Sequence, residues 1–125
     1  ERPQLFIGSG VGMTPLVSMF KKAASLNVPT QMIQAVVTED ERPFAQKLDS
    51  ITDNYEQAQL HLHVKDKEGY LEAKELEQYL SEQPEIYICG GTKFLHSIIN
   101  SLKELNYDMN HVHFETFIPR LSVQV

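Results

Sequence analysis

The clearest chemistry in the sequence lies in eight residues, Gly8-Ser9-Gly10-Val11-Gly12-Met13-Thr14-Pro15. They follow a short apolar run and end where a helix can start. Glycines after a strand let the backbone approach a phosphate closely, and the next helix offers free N–H groups and the positive end of its dipole. That dipole contributes only about 0.3–1 kcal/mol at an exposed site, so several N–H contacts must share the work. The spacing is not the fingerprint G-x-G-x-x-G. Counted from Gly8 the third glycine position is Met13, and counted from Gly10 it is Pro15. A P-loop fails too, because Met13 and Thr14 stand where Gly and Lys are required. The stretch reads as a phosphate or nucleotide site, with a structural turn as the alternative.

Three further groups fall after apolar runs. Thr38-Glu39-Asp40-Glu41 places acids where a nucleotide-binding α/β fold can hold ribose hydroxyls. Such acids repel a 2′-phosphate and favour NADH over NADPH, while neighbouring Arg42 argues the other way; the bland reading is a solvated loop. Cys89-Gly90-Gly91-Thr92 joins a free cysteine, usually a small buried hydrophobe, to two glycines that suit close approach by a ligand. No His-plus-acid pattern marks Cys89 as a nucleophile. Glu115-Thr116-Phe117-Ile118-Pro119, taken alone, is surface decoration near a chain end.

The histidines tempt a metal reading. His61-Leu62-His63 and His111-Val112-His113 are both H-x-H on strands, so each pair shares a face. The expected strand order puts them at opposite edges, and no metal site is expected. His96, inside a helical stretch, reads as a satisfied structural residue.

The elements that must position these groups alternate. Strands are expected at 4–7, 32–37, 60–64, 86–89 and 112–114, where apolar and β-branched residues cluster. The first helix opens at Thr14-Pro15, with Thr14 as side-chain cap and proline in the first turn. Leu16, Met19, Phe20 and Ala23 form its apolar stripe, and Asn27 and Pro29 stop it. Further helices are expected at 44–51, 71–80 and 92–105. Strands alternating with helices imply βαβ units, a parallel sheet covered on both faces and right-handed crossovers. The expectation is an α/β three-layer sandwich with a five-stranded parallel sheet of order 3-2-1-4-5, ligands binding at the strands' carboxyl ends. Cys89 and Gly12 would then face each other across the switch point.

At 125 residues the chain has the length of one domain, with 42% hydrophobic and 22% charged residues. That composition excludes a disordered tail and a fibrous repeat. A net charge of −6, from 11 Lys+Arg and 17 Asp+Glu, argues against a nucleic-acid binder. Residues 2–38 carry no acid, whereas 66–85 carry seven, so the glycine-rich stretch is the region friendly to an anion. The single cysteine excludes an internal disulfide. The longest uncharged run, residues 3–20, is broken by Gly8, Gly10, Gly12 and Pro15, a poor membrane span. No secretory signal is visible. Beginning at Glu1 without methionine, the chain reads as a processed product or an excised piece.

Gly10-Val11-Gly12-Met13-Thr14-Pro15, Cys89-Gly90-Gly91 and Glu115-Thr116-Phe117, in this order and at these strand ends, resemble the NAD(P)-binding half of the ferredoxin–NADP reductase superfamily. The resemblance spans essentially the whole chain, residues 1–125. Thr14-Pro15 followed by Ser18-Met19, with the E-x-F-x-P ending, is most similar to the C-terminal reductase part of flavohaemoglobins, the nitric oxide dioxygenases. Ile118 departs from the glycine usual before that proline.

The resemblance implies a role for each position. Backbone from Gly10 through Val11, Gly12 and Met13 to Thr14 and Pro15 would hold the pyrophosphate, with Thr14 also near the nicotinamide. Thr38 and Glu39 would border the adenosine ribose. Cys89 and Glu115 would be the catalytic positions. Cys89, with Gly90 and Gly91, would flank the nicotinamide, and Glu115 would position it against a flavin. Phe117 would contact the flavin ring. Tyr70 stands where many relatives carry a basic residue, which again leans towards NADH.

The implied activity is an NAD(P)H-dependent flavin oxidoreductase, transferring hydride from nicotinamide C4 to flavin N5 and working as part of a larger cytoplasmic protein. FAD would be bound mainly by a preceding barrel domain that this chain lacks, as it lacks a haem domain. That FAD-binding domain, linked or separate, is the implied partner, and a haem or iron–sulfur centre the onward electron acceptor. The chain alone is expected to bind dinucleotide weakly, not to retain FAD and to have little reductase activity. Two alternatives remain open on residues alone. One is a non-catalytic electron-transfer or docking module. The other is an S-adenosylmethionine-dependent methyltransferase, which leaves Pro15 and Cys89-Gly90-Gly91 without a role.

Overall fold

The computed structural model describes residues 2–116. Five apolar runs form the strands β1 (Gln4–Ser9), β2 (Thr30–Val36), β3 (Ala58–Val64), β4 (Glu85–Gly90) and β5 (Val112–Thr116). Every neighbouring pair is parallel, and the order is β3-β2-β1-β4-β5, as the sequence led us to expect. The helices are α1 (Thr14–Ser25), α2 (Ala45–Asn54), the single turns α3 (Lys65–Glu68) and α4 (Ala73–Leu76), and α5 (Thr92–Glu104).

Because side chains alternate along a strand, β1 feeds two cores. Phe6 points to one face, with Met32, Leu16, Phe20, Leu48 and Ile51. Leu5 and Ile7 point to the other, with Ile33, Ile86, Ile88, Leu76, Leu95, Ile98 and Leu102. Burial of each such side chain contributes roughly 1.5–3 kcal/mol before chain entropy is subtracted. The Phe6 ring meets Phe20 edge-on at 6.0 Å and stacks on Tyr87 at 5.4 Å. The central strand is therefore held from both sides, and its carboxyl end is a rigid base for the glycine turn.

Several local expectations need correction. A 3-10 turn, Gly10–Met13, precedes α1 and puts Met13, not Thr14, in the cap position, where no side-chain cap bond forms. The buried stripe of α1 is Leu16, Val17, Phe20, Ala23 and Ala24, with Met19 turned outward at 36% exposure. A helix packed against both a sheet and a neighbouring helix buries this wider face. The expected helix over 71–80 is broken. Gly69 ends α3 at φ +78, a capping box between Glu72 and Glu75 restarts the chain as α4, and a 3-10 turn (Glu77–Tyr79) follows. His96 is exposed rather than a satisfied structural residue.

Candidate functional site

Ser9 ends β1, and Gly10 turns the chain at φ +60, a left-handed conformation that side chains resist. Nothing lies within 4 Å of a Cβ built on Gly10, so the backbone there is open to a ligand. Met13 closes the turn from beneath and is fully buried. A Cβ on Gly8 would come within 2.6 Å of Met13 Cγ and 2.9 Å of Leu16 Cδ1. Gly8 therefore serves packing, while Gly10 serves the turn. Beside them, Gly8 pairs in register with Cys89 and Cys89 with Glu115.

A cleft of about 700 Å³ opens at this carboxyl edge. Its size falls in the range of about 300–1,000 Å³ typical of small-molecule sites. Ser9, Gly10 and Ala35 to Val37 form its floor. Glu41 and Pro43 stand on one side. His63, Lys65, Gly69, Tyr70 and Leu71 come from the end of β3 and the chain beyond it, and Lys93, Phe94 and Ser97 come from α5. The site lies at the carboxyl end of β1, where the strand order reverses between β2 on one side and β4 on the other, the switch point at which such sheets take ligands.

Hydrogen bonds fix its walls. Gln34, fully buried in β2, donates through Nε2 to the Pro43 carbonyl at 2.8 Å and so anchors the loop after β2. Arg42 donates to Gln34 Oε1 at 3.4 Å and pairs with Asp49 at 2.9 Å. His63 donates through Nε2 to the Gly69 carbonyl at 2.9 Å, tying the loop before Tyr70 to β3. The Lys65 ammonium lies 4.7 Å from the centroid of the Tyr70 ring. Lys67 donates to Glu39 Oε1 at 2.7 Å, and that bond raises the lysine pKa above its ordinary value.

The candidate residues fall into distinct places. Gly10 lines the cleft, whereas Thr14 and Pro15 are exposed at the start of α1. Val11 and Gly12 lie within the 3-10 turn. Glu41 lines the cleft, while Thr38 and Glu39 stand outside its lining. Cys89 is 4% exposed and belongs to the core beside Phe6 and Met13. Gly90 supports Phe94, and Gly91 caps α5. Phe117, with Ile118 and Pro119, lies outside the described residues. Sequence reasoning missed Lys93, Phe94 and Ser97. Phe94 and Ser97 sit three residues apart on α5, a spacing that signals a shared face. Among the described residues, no three His, Cys, Asp or Glu groups converge where a metal ion could sit, and no helix is long and apolar enough to cross a membrane.

Comparison with known proteins agrees with this fold. Flavohemoprotein B of Dictyostelium discoideum is 27% identical over 98% of this chain and 32% of its own length. A flavohemoprotein of Bacillus cereus is 26% identical over 98% of this chain and 34% of its own. The chain thus spans about a third of the length of these curated relatives. The FAD/NAD-binding domain of nitric oxide dioxygenase from Vibrio cholerae superposes with a TM-score of 0.83 at 25% identity, over 95% of this chain and 52% of that one. Ferredoxin-NADP+ reductase from Plasmodium falciparum shares the fold, with a TM-score of 0.73 at 20% identity over 93% of this chain and 52% of that one. The family model of the oxidoreductase NAD-binding domain matches residues 6–99, most of the chain. The chain belongs to the oxidoreductase NAD-binding domain family.

Proposed function

We propose that this chain positions NAD(P)H for a flavin-dependent oxidoreductase of the flavohaemoglobin type, a nitric oxide dioxygenase, in which an FAD-binding domain, joined or separate, holds the flavin. The observation that carries the reading is the cleft beside the Gly10–Met13 turn, at the carboxyl edge of β1. When bound beside this turn, a nicotinamide would supply hydride chemistry to a flavin held by the partner domain.

The chain's own part is orientation. The open backbone at Gly10 and the N–H groups that follow hold the diphosphate. Val36, Val37, Tyr70 and Leu71 offer apolar and aromatic faces to the adenine. Cys89 and Glu115, paired in register across β4 and β5, border the nicotinamide end. Phe117 is the residue assigned to contact the flavin ring. Correct stacking can supply roughly 7–11 kcal/mol of the barrier. NADH is the preferred coenzyme, because Glu41 lines the cleft and both Arg42 and Lys67 are engaged by carboxylates. The onward acceptor would be a haem or iron–sulfur centre held by another domain or protein, in the cytoplasm. A methyltransferase reading leaves Pro15 and Cys89-Gly90-Gly91 idle.

The test is a titration of the chain with NADH, NADPH and S-adenosylmethionine, followed by melting temperature. A ligand at 100 times its dissociation constant stabilises by about 2.7 kcal/mol. A rise with NADH and a smaller one with NADPH is the expected result. A response to S-adenosylmethionine alone overturns the proposal.

A further inference from the structure

Two lysines, Lys65 and Lys93, line the cleft, and neither forms an ion pair among the described residues. The other cations nearby are committed, Arg42 to Asp49 and Lys67 to Glu39. Lys65 lies over the ring of Tyr70 on the β3 side. Lys93 stands apart from these, on the α5 side. It is the second residue of α5, directly before Phe94. A Cβ on Gly90 would lie 2.7 Å from both Phe94 Cδ2 and Ser9 Oγ, so this turn of α5 is packed on the end of β4, with Ser9 on the same glycine. Lys93, an exposed side chain, thus lines the same cleft as Ser9 and Gly10, where the backbone is open.

An ammonium without an ion pair among the described residues, in a cleft that also holds an open glycine turn, matches the charge of an organic diphosphate. A charge-assisted hydrogen bond is shorter and stronger than one between neutral groups. We infer that Lys93 binds the diphosphate of the dinucleotide from the α5 side, completing from a side chain the cradle that Gly10 begins from the backbone. The inference rests on the dinucleotide reading above. It assigns to a side chain in the first turn of α5 part of the affinity that the glycine stretch alone would otherwise have to supply.

The test is calorimetric titration of the chain with NADH, ADP and adenosine. Lys93→Gln is expected to weaken NADH and ADP alike, on the order of tenfold or more, and to leave adenosine unchanged. Lys93→Arg is expected to retain most of the affinity. Lys103→Gln, in the last turn of the same helix, removes an equal charge away from the cleft and is expected to change nothing. Added salt narrows the difference between the wild type and Lys93→Gln. If the wild type binds NADH and ADP and Lys93→Gln binds them equally well, the inference is overturned and the dinucleotide reading stands. Equal losses for ADP and adenosine also overturn it, because they mark a packing role. If the folded wild type binds neither NADH nor ADP, the dinucleotide reading falls first and takes the inference with it.

Discussion

The ring of Phe94 rests on the backbone of Gly90, so closely that a Cβ there would come 2.7 Å from Phe94 Cδ2. This contact joins the last residue of β4 to the first turn of α5 and sets a wall of the cleft on the sheet. The glycine doublet thus has two different members. Gly90 is crowded by Phe94 and Ser9, whereas nothing lies within 4 Å of a Cβ on Gly91.

The first prediction follows from that contrast. Gly90→Ala should destabilise the fold by about 1–3 kcal/mol, the usual range for overpacking. Gly91→Ala should cost less, about 0.5 kcal/mol, because its φ of −71 suits any residue and only the N-cap preference of glycine over alanine is lost. Urea midpoints of the two variants measure the difference. Equal midpoints would show that Phe94 moves aside freely and that Gly90 is not needed for the wall.

How far the sequence revealed the site depends on how local each signal is. The continuous apolar runs of β1 and β4 were legible, and right-handed crossovers then settled the strand order. The cap of α1 was not, because the Gly10–Met13 turn absorbs the position that Thr14 would otherwise take. The break at 71–80 was not, because a Glu72–Glu75 capping box competes with a continuous apolar pattern. Within the site, Gly10 announced itself by type. Lys93, Phe94 and Ser97 did not, because the cleft joins α5 to the ends of β1, β2 and β3, which are far apart in sequence. Glu39 and Glu41 looked equivalent as letters. Only the fold gives one to Lys67 and the other to the cleft.

Coenzyme choice gives the second prediction. Glu39 occupies Lys67 at 2.7 Å. Glu39→Gln releases the lysine for a 2′-phosphate, so the affinity ratio of NADPH to NADH should rise, by about fivefold at most for so exposed a pair. Paired titrations of the wild type and variant with both coenzymes supply the ratio. A ratio that does not move places Lys67 beyond reach of the ligand.

A third prediction concerns acid stability at the opposite end of the sheet. Glu85 accepts hydrogen bonds from His113 and from His111 Nδ1, the latter at 3.0 Å, and Arg2 Nε lies 3.7 Å away. The bond from His113, chiefly, holds the Glu85 carboxyl below its ordinary value of 4.5, against the opposing effect of burial. A carboxyl with a depressed folded pKa contributes stability above the ordinary value and loses it as pH falls through the depressed one. Glu85→Gln should therefore cost on the order of 1 kcal/mol at neutral pH. It should also unfold less steeply than the wild type as the pH drops below about 4.5. Denaturant midpoints across the acid range measure both effects. Parallel wild-type and variant curves would show that the histidines do not hold the carboxylate.

The last prediction turns on Thr30, the first residue of β2. It is 1% exposed, and its Oγ1 has no hydrogen-bond partner among the described residues. The backbone there is satisfied, since its N–H donates to the Gln57 carbonyl at 2.9 Å. The cost therefore lies in the side chain, where a buried orphan hydroxyl costs about 1–3 kcal/mol. Valine keeps the β-branched shape that the strand favours and replaces the hydroxyl with a methyl group. Thr30→Val should stabilise the chain by about 1 kcal/mol, towards the lower end of that cost. Thr30→Ser should destabilise it, because it keeps the orphan hydroxyl and deletes the buried methyl. Thermal and urea unfolding of the two variants decide the matter, and a Thr30→Val chain less stable than the wild type would mean that the hydroxyl is satisfied in solution. Because Thr30 lies at the amino end of β2, away from the cleft, the stabilised variant should bind NADH as the wild type does.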